Sequence, residues 1–204
     1  MRRAFSTDGT RLEAFSDGVI AVIITILVLD LHAPAGTDLT SLATLAPTFA
    51  AYVLSFVFVG IYWNNHHHML RASDGVDGRA MWANLHLLFW LSLLPFTTSW
   101  LGAHPFAPYP TALYGFVLLM DAIAYTILQN ALLAVNGAGS PFAQALRTDV
   151  KGKIWPGLYV VGIVCAFVAP VISYACYVVV AVVWFVPDRR MEPAIAARRG
   201  DSTT

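Results

Sequence analysis

The stretch RLEAFSDGVIAVIITILVLDL occupies residues 11–31, and its reading decides the fold class. From Gly18 to Leu29 it carries no charge, and Thr25 is its only polar side chain. A helix needs roughly 20 mostly apolar residues to cross the hydrocarbon core of a bilayer, and Leu12–Leu31 supplies them. Five more stretches of this kind follow: Pro47–Asn65, Met81–Leu101, Tyr109–Val135, Ile154–Ala169 and Val171–Val186. The last two are short and meet at Pro170, which reads as a tight helical hairpin. The segments between, His32–Ala46, Arg71–Arg79 and Asn136–Lys153, hold the Gly, Pro, Asp and Ser expected of loops. The expectation is an all-α polytopic membrane protein with six transmembrane helices. Residues 1–190 form one membrane domain, and Met191–Thr204 is a disordered tail.

Composition agrees: 58% of the 204 residues are hydrophobic and 12% are charged, about half the charge of a soluble domain. Net charge is zero, so nothing in the electrostatics points to nucleic acid. Cys165 and Cys176 lie inside apolar runs and read as small packing residues. Six crossings put Arg2, Arg3, Arg11, Arg71, Arg79, Arg147, Lys151, Lys153, Arg189, Arg190, Arg198 and Arg199 on one side. These are all 12 Lys and Arg residues, and the three opposite loops hold none. By the positive-inside rule both termini are then cytoplasmic, in a multi-pass protein of the cell membrane. Arg2, Arg3, an apolar run and Ala33-Pro34-Ala35 also resemble a signal peptide. Glu13 and Asp17 would lie inside that signal, and the segment is therefore read as a true helix.

Polar groups at membrane depth are the functional candidates, because lipid cannot solvate them. Asp17 stands about 9 Å along the helix from Arg11 and needs a partner, either Arg11 or a donor on another helix. Tyr62-Trp63-Asn64-Asn65-His66-His67-His68 ends the second span at the same interface. Adjacent residues on a helix point about 100° apart, so three consecutive histidines do not converge on one ion, and no nearby carboxylate cluster completes a set. The expectation is no metal and no cofactor; one or two of these histidines, with Trp63 and Asn64, instead donate hydrogen bonds to a neighbouring helix, where Asn84 and His86 enter the third span, and the rest form an amphipathic belt at the membrane surface. Asp121, midway along the fourth span, is either a proton or cation relay or an acid hydrogen-bonded inside the bundle. Gln129 and Asn130 read as interhelical hydrogen-bonding groups. No G-x-S-x-G, H-E-x-x-H, Walker or dinucleotide motif is present, and an enzyme is not expected.

Arg11-x-x-x-Phe15-Ser16-Asp17-Gly18, followed by Val19 to Thr25, resembles the string that opens the first helix of the TMEM175 family of potassium channels. The likeness continues through Trp63-x-x-His66-His67 and extends to helix number and chain length in the single-repeat prokaryotic members. The resemblance implies a homotetrameric, potassium-permeable channel without a P-loop filter, its pore lined by the first helix of each subunit. Carried over by counting from the F-S-D string, the pore-lining positions are Val22, Thr25, Ile26 and Leu29, whose steps of three and four keep one helical face. Val22, smaller than the aliphatic side chain often found there, forms the narrowest ring, and Thr25 forms a ring of hydroxyls. Arg11, Phe15, Ser16 and Asp17 would join Trp63, His66, His67 and Asn84 in a structural polar cluster away from the pore. The alternatives are a proton- or cation-coupled transporter using Asp121 and a non-transporting scaffold or metal-binding protein centred on His66–His68.

Overall fold

The computed structural model describes residues 7–137, 139–140, 142–143 and 151–185, in which there are helices and no strand. The helices are α1 (Thr7–Leu29), α2 (Leu39–Ala43), α3 (Ala46–Ala72), α4 (Gly78–Leu91), α5 (Leu94–Ala103), α6 (Pro108–Asn136), α7 (Lys151–Cys165) and α8 (Pro170–Phe185). The proposed tail Met191–Thr204 lies outside the described residues, as do Arg2, Arg3, Arg147, Arg189, Arg190, Arg198, Arg199 and the side chains of Lys151 and Lys153. Among the described residues, four helical stretches are long and apolar enough to cross a membrane: Gly9–Leu29, Ala46–Ala72, Gly78–Ala103 and Pro108–Asn136. Two more, Pro156–Cys165 and Pro170–Phe185, are apolar but shorter.

Three expectations about the helices need correction. The third span is one stretch of membrane-spanning length, Gly78–Ala103, but its helical ladder is interrupted at Ser92–Leu93, which divides it into α4 and α5. Pro95 has no N–H to return to the Leu91 carbonyl, so Leu93 bonds back to Trp90 (3.0 Å) and Thr97 restarts the ladder on Leu93 (3.1 Å). The second helix does not end at His68, because α3 runs on to Ala72 and carries His66–His68 inside a regular helix. The loop His32–Ala46 contains α2, capped by Asp38, whose carboxylate accepts from Ser41 N (2.9 Å) and the Thr40 hydroxyl (2.6 Å). Hydrogen bonds from Ser41 and then Thr40 favour the ionised form and hold the Asp38 carboxyl at about 2.

The bundle is organised around α3 and α6. Helix α1 packs on α3, α4 and α5; α6 packs on α4, α5 and α7; α7 and α8 pair as the expected hairpin. Lipid gives helices little hydrophobic reason to associate, so close approach and internal hydrogen bonds must hold them. Both are present. The buried Ser55 hydroxyl on α3 lies 2.7 Å from that of Thr98 on α5 and 2.9 Å from that of Tyr114 on α6. Tyr177 of α8 is buried between Gly115 of α6 and Gly162 of α7, and its hydroxyl donates to the Thr111 carbonyl (3.1 Å). The free cysteines, Cys165 and Cys176, sit in this hairpin as packing residues.

A Cβ at Gly115 would fall inside van der Waals contact of the Tyr177 hydroxyl. Gly115→Ala must therefore displace Tyr177 and break its bond to Thr111, a strain of about 1–3 kcal/mol. The expected outcome is a lower midpoint of thermal or detergent unfolding for Gly115→Ala; an unchanged midpoint would exclude this contact as a determinant of packing.

Candidate functional site on the first helix

Helix α1 has two unlike faces. Leu12, Ser16, Ile20, Ile23 and Leu27 recur at steps of three and four and are buried against the rest of the subunit. The opposite face leaves Val22 55%, Ile26 42% and Leu29 73% exposed, with Thr25 exposed between them. All four sequence-predicted pore positions therefore lie on one open face of α1. Gly18 and Ala21 are exposed there too, and such small residues permit close approach of another helix. The Thr25 hydroxyl donates to the Val22 carbonyl at 2.8 Å, so its proton is used within the helix and its oxygen lone pairs remain available.

At the other end of α1, polar groups gather in two layers. In the inner layer the Ser16 hydroxyl donates to the Leu12 carbonyl (2.8 Å), and Asn84 Nδ2 donates to Ser16 Oγ (2.9 Å). Asn84 Oδ1 lies 2.7 Å from His66 Nε2. A carbonyl can only accept, so the Ser16 proton is committed to Leu12, and Ser16 must receive from the Asn84 amide. Asn84 then turns its oxygen to His66, whose Nε2 carries the proton. Ser16, His66 and Asn84 are each 0% exposed. His66 is thus the histidine that reaches Ser16, and it does so through Asn84.

The outer layer joins α1 to α3. Trp63 Nε1 donates to Asp17 Oδ1 at 3.0 Å, and the Trp63 ring stacks on His67 at a centroid distance of 5.8 Å. His67 Nδ1 approaches Glu13 Oε1 to 2.9 Å, and Arg71 Nε stands 3.6 Å from the same oxygen. The His67 contact has the distance of an ion pair but not the alignment of a hydrogen bond. Asp17 thus takes its partner from α3; Arg11 and Phe15, assigned to the cluster from sequence, lie exposed on its margin. Sequence reasoning missed Glu13. The signal was its spacing: Glu13 and Asp17 are four apart, as are Trp63, His67 and Arg71, so the two sets face each other across two helices.

Other expected contacts do not form. His86 is outside the cluster and accepts from Trp90 Nε1, four residues on, at 2.9 Å. Asn130 is exposed, and Gln129 borders a cavity of about 40 Å³ with Tyr62, Tyr125 and Tyr159; neither makes a hydrogen bond among the described residues. Asp121 is 0% exposed, and its two oxygens have no hydrogen-bond partner among the described residues, which does not match the hydrogen-bonded acid, one of its two readings from sequence. The sequence argument against a metal also needs revision. Its premise, no carboxylates near the histidines, fails because α1 brings Glu13 and Asp17 to His67.

Residues 11–95 match the family described as the endosomal/lysosomal potassium channel TMEM175. A potassium channel of Chryseobacterium sp. (strain P1-3) is 49% identical over 185 residues, which cover 91% of this chain and 96% of that one. The endosomal/lysosomal proton channel TMEM175 of Danio rerio is 26% identical over 193 residues, 87% of this chain and 36% of its own. The crystal structure of a lysosomal potassium-selective channel TMEM175 homolog from Chamaesiphon minutus superposes with a TM-score of 0.79 at 27% identity, covering 90% of this chain and 99% of that one. The matched segment contains the open face of α1 and both layers of its polar base, and the likeness spans nearly the whole bundle. This multi-pass membrane protein belongs to the TMEM175 family.

Proposed function

We propose that the chain forms a potassium-permeable channel of the cell membrane, with α1 of each of four subunits around a central pore. The observation that carries this is the orientation of α1: its polar base is tied to α3 and α4, which leaves Val22, Thr25, Ile26 and Leu29 facing out of the subunit. Four copies brought together on that face would stack aliphatic rings around one ring of hydroxyl oxygens. Such oxygens replace part of an ion's hydration shell, whereas aliphatic rings act by size and dewetting. The names of the similar Chryseobacterium and Chamaesiphon proteins support the same ion. Nothing in a passive pore calls for bond chemistry, and we assign no enzymatic role.

In this reading α7 and α8 complete six crossings, and the end of the bundle bearing Arg11, Arg71 and Arg79 is cytoplasmic. A coupled transporter built on Asp121 is not favoured: the similar proteins carry channel names, and Asp121 is enclosed within a single subunit.

Three outcomes are expected. Native mass measurement in mild detergent gives a tetramer, and monomer alone would remove the basis for an inter-subunit pore. In liposome flux and bi-ionic reversal-potential measurements, Val22→Phe blocks current, because four rings meet at the axis. Thr25→Val conducts but prefers K⁺ over Na⁺ less; a loss of about 1 kcal/mol is roughly a fivefold drop in the permeability ratio. Undiminished current in Val22→Phe, or an unchanged ratio in Thr25→Val, contradicts the pore assignment.

The base of α1 behaves differently. Asn84→Leu strands His66 Nε2 and the Ser16 oxygen in a buried site, costing about 1–3 kcal/mol. Tetramer yield and unfolding temperature fall, while the K⁺/Na⁺ ratio of the surviving assembly stays at the wild-type value. Arg11→Ala, at an exposed side chain, stays within about 0.5 kcal/mol of wild type. A changed ratio in Asn84→Leu at normal yield would move the cluster into the pore.

A further inference from the structure

We propose that Glu13, Asp17 and His67 form a binding site for a divalent transition metal, of the Zn²⁺ class, that fastens α1 to α3. Each residue offers one ligand atom, and the three atoms lie within 4.8 Å of one another. Metal–ligand bonds of about 2.0–2.2 Å put tetrahedral donors about 3.4 Å apart, so small rotations of the side chains close the set around one ion. One imidazole with two carboxylates, and a further position for water, suits Zn²⁺, Co²⁺ or Ni²⁺; Ca²⁺ and Mg²⁺ prefer oxygen throughout.

Two observations mark this cluster off from an ordinary surface ion pair. His67 Nδ1 is buried and stands 2.9 Å from Glu13 Oε1 without hydrogen-bond alignment, a geometry that leaves its lone pair or proton directed elsewhere. Asp17 Oδ1 is held by the Trp63 indole, and the same indole stacks on His67. One side chain thus orients two of the three ligands, as outer-shell groups do in metal sites. Glu13 and His67 are 17% and 24% exposed, enough for an ion to enter from the water at this end of the bundle. Arg71, 52% exposed and 3.6 Å from Glu13, is the competing cation. Neighbouring histidines are otherwise engaged: His66 with Asn84 and His86 with Trp90. The site needs only the α1–α3 contact and holds however the copies assemble.

Binding is measured on the purified full chain with Co²⁺ as a visible-absorption probe and Zn²⁺ as its competitor. Wild type is expected to give one saturable Co²⁺ spectrum that Zn²⁺ abolishes. Glu13→Gln and His67→Gln each weaken binding by at least about tenfold. His67→Cys retains binding and adds a thiolate-to-cobalt band, and this keeps the test informative if His67→Gln fails to fold. Elution volume and helical circular dichroism establish that each variant used is folded. No saturable Co²⁺ signal in wild type, wild-type affinity in folded Glu13→Gln and His67→Gln, or the absence of a thiolate band in folded His67→Cys would each overturn the proposal.

Discussion

The buried chain from His66 through Asn84 and Ser16 to the Leu12 carbonyl is the constraint on which the rest of the arrangement depends. In lipid, a polar side chain that finds no partner within the protein finds none at all. Ser16 must therefore face α4, and a helix is too stiff to turn one residue inward without turning its neighbours. Once Ser16 is placed, Ile20, Ile23 and Leu27 follow it into the subunit. Val22, Thr25, Ile26 and Leu29 are left on the opposite face by the same geometry. The rotation of α1 is thus set at its base, while its consequences appear two to four turns away.

The outer layer adds a second, different restraint. Trp63, His67 and Arg71 repeat every four residues along α3 and meet the two acids of α1 along one seam. These contacts are partly exposed and charged, so each is weaker than the buried chain. Their value lies in register. A shift of α1 by one residue along its axis would separate Asp17 from Trp63 and Glu13 from His67 together.

Elsewhere the bundle is held by small residues and a few buried hydroxyls. Gly115 and Gly162 admit Tyr177, and Ser55 links α3 to α5 and α6. The break between α4 and α5 fits this pattern, because Pro95 ends one ladder and Leu93 begins another without leaving the apolar layer. Asp121 is the exception, a buried carboxyl with no hydrogen-bond partner among the described residues.

Much of this was legible in the amino-acid order because lipid imposes simple rules. Length and apolarity marked out the long helices, and steps of three and four put Val22, Thr25, Ile26 and Leu29 on one face. Helix geometry alone carries that information, and it is local. What the order of residues could not specify was which partners meet across helices. Whether Asp17 takes Arg11 or Trp63, whether His86 joins the cluster, and which histidine reaches Ser16 depend on the rotation and depth of α3 and α4 relative to α1. Glu13 shows the difference most clearly. It lies more than fifty positions from His67, and only tertiary packing brings the two together. The periodicity of one helix determines which residues share a face; the packing of several determines what that face meets.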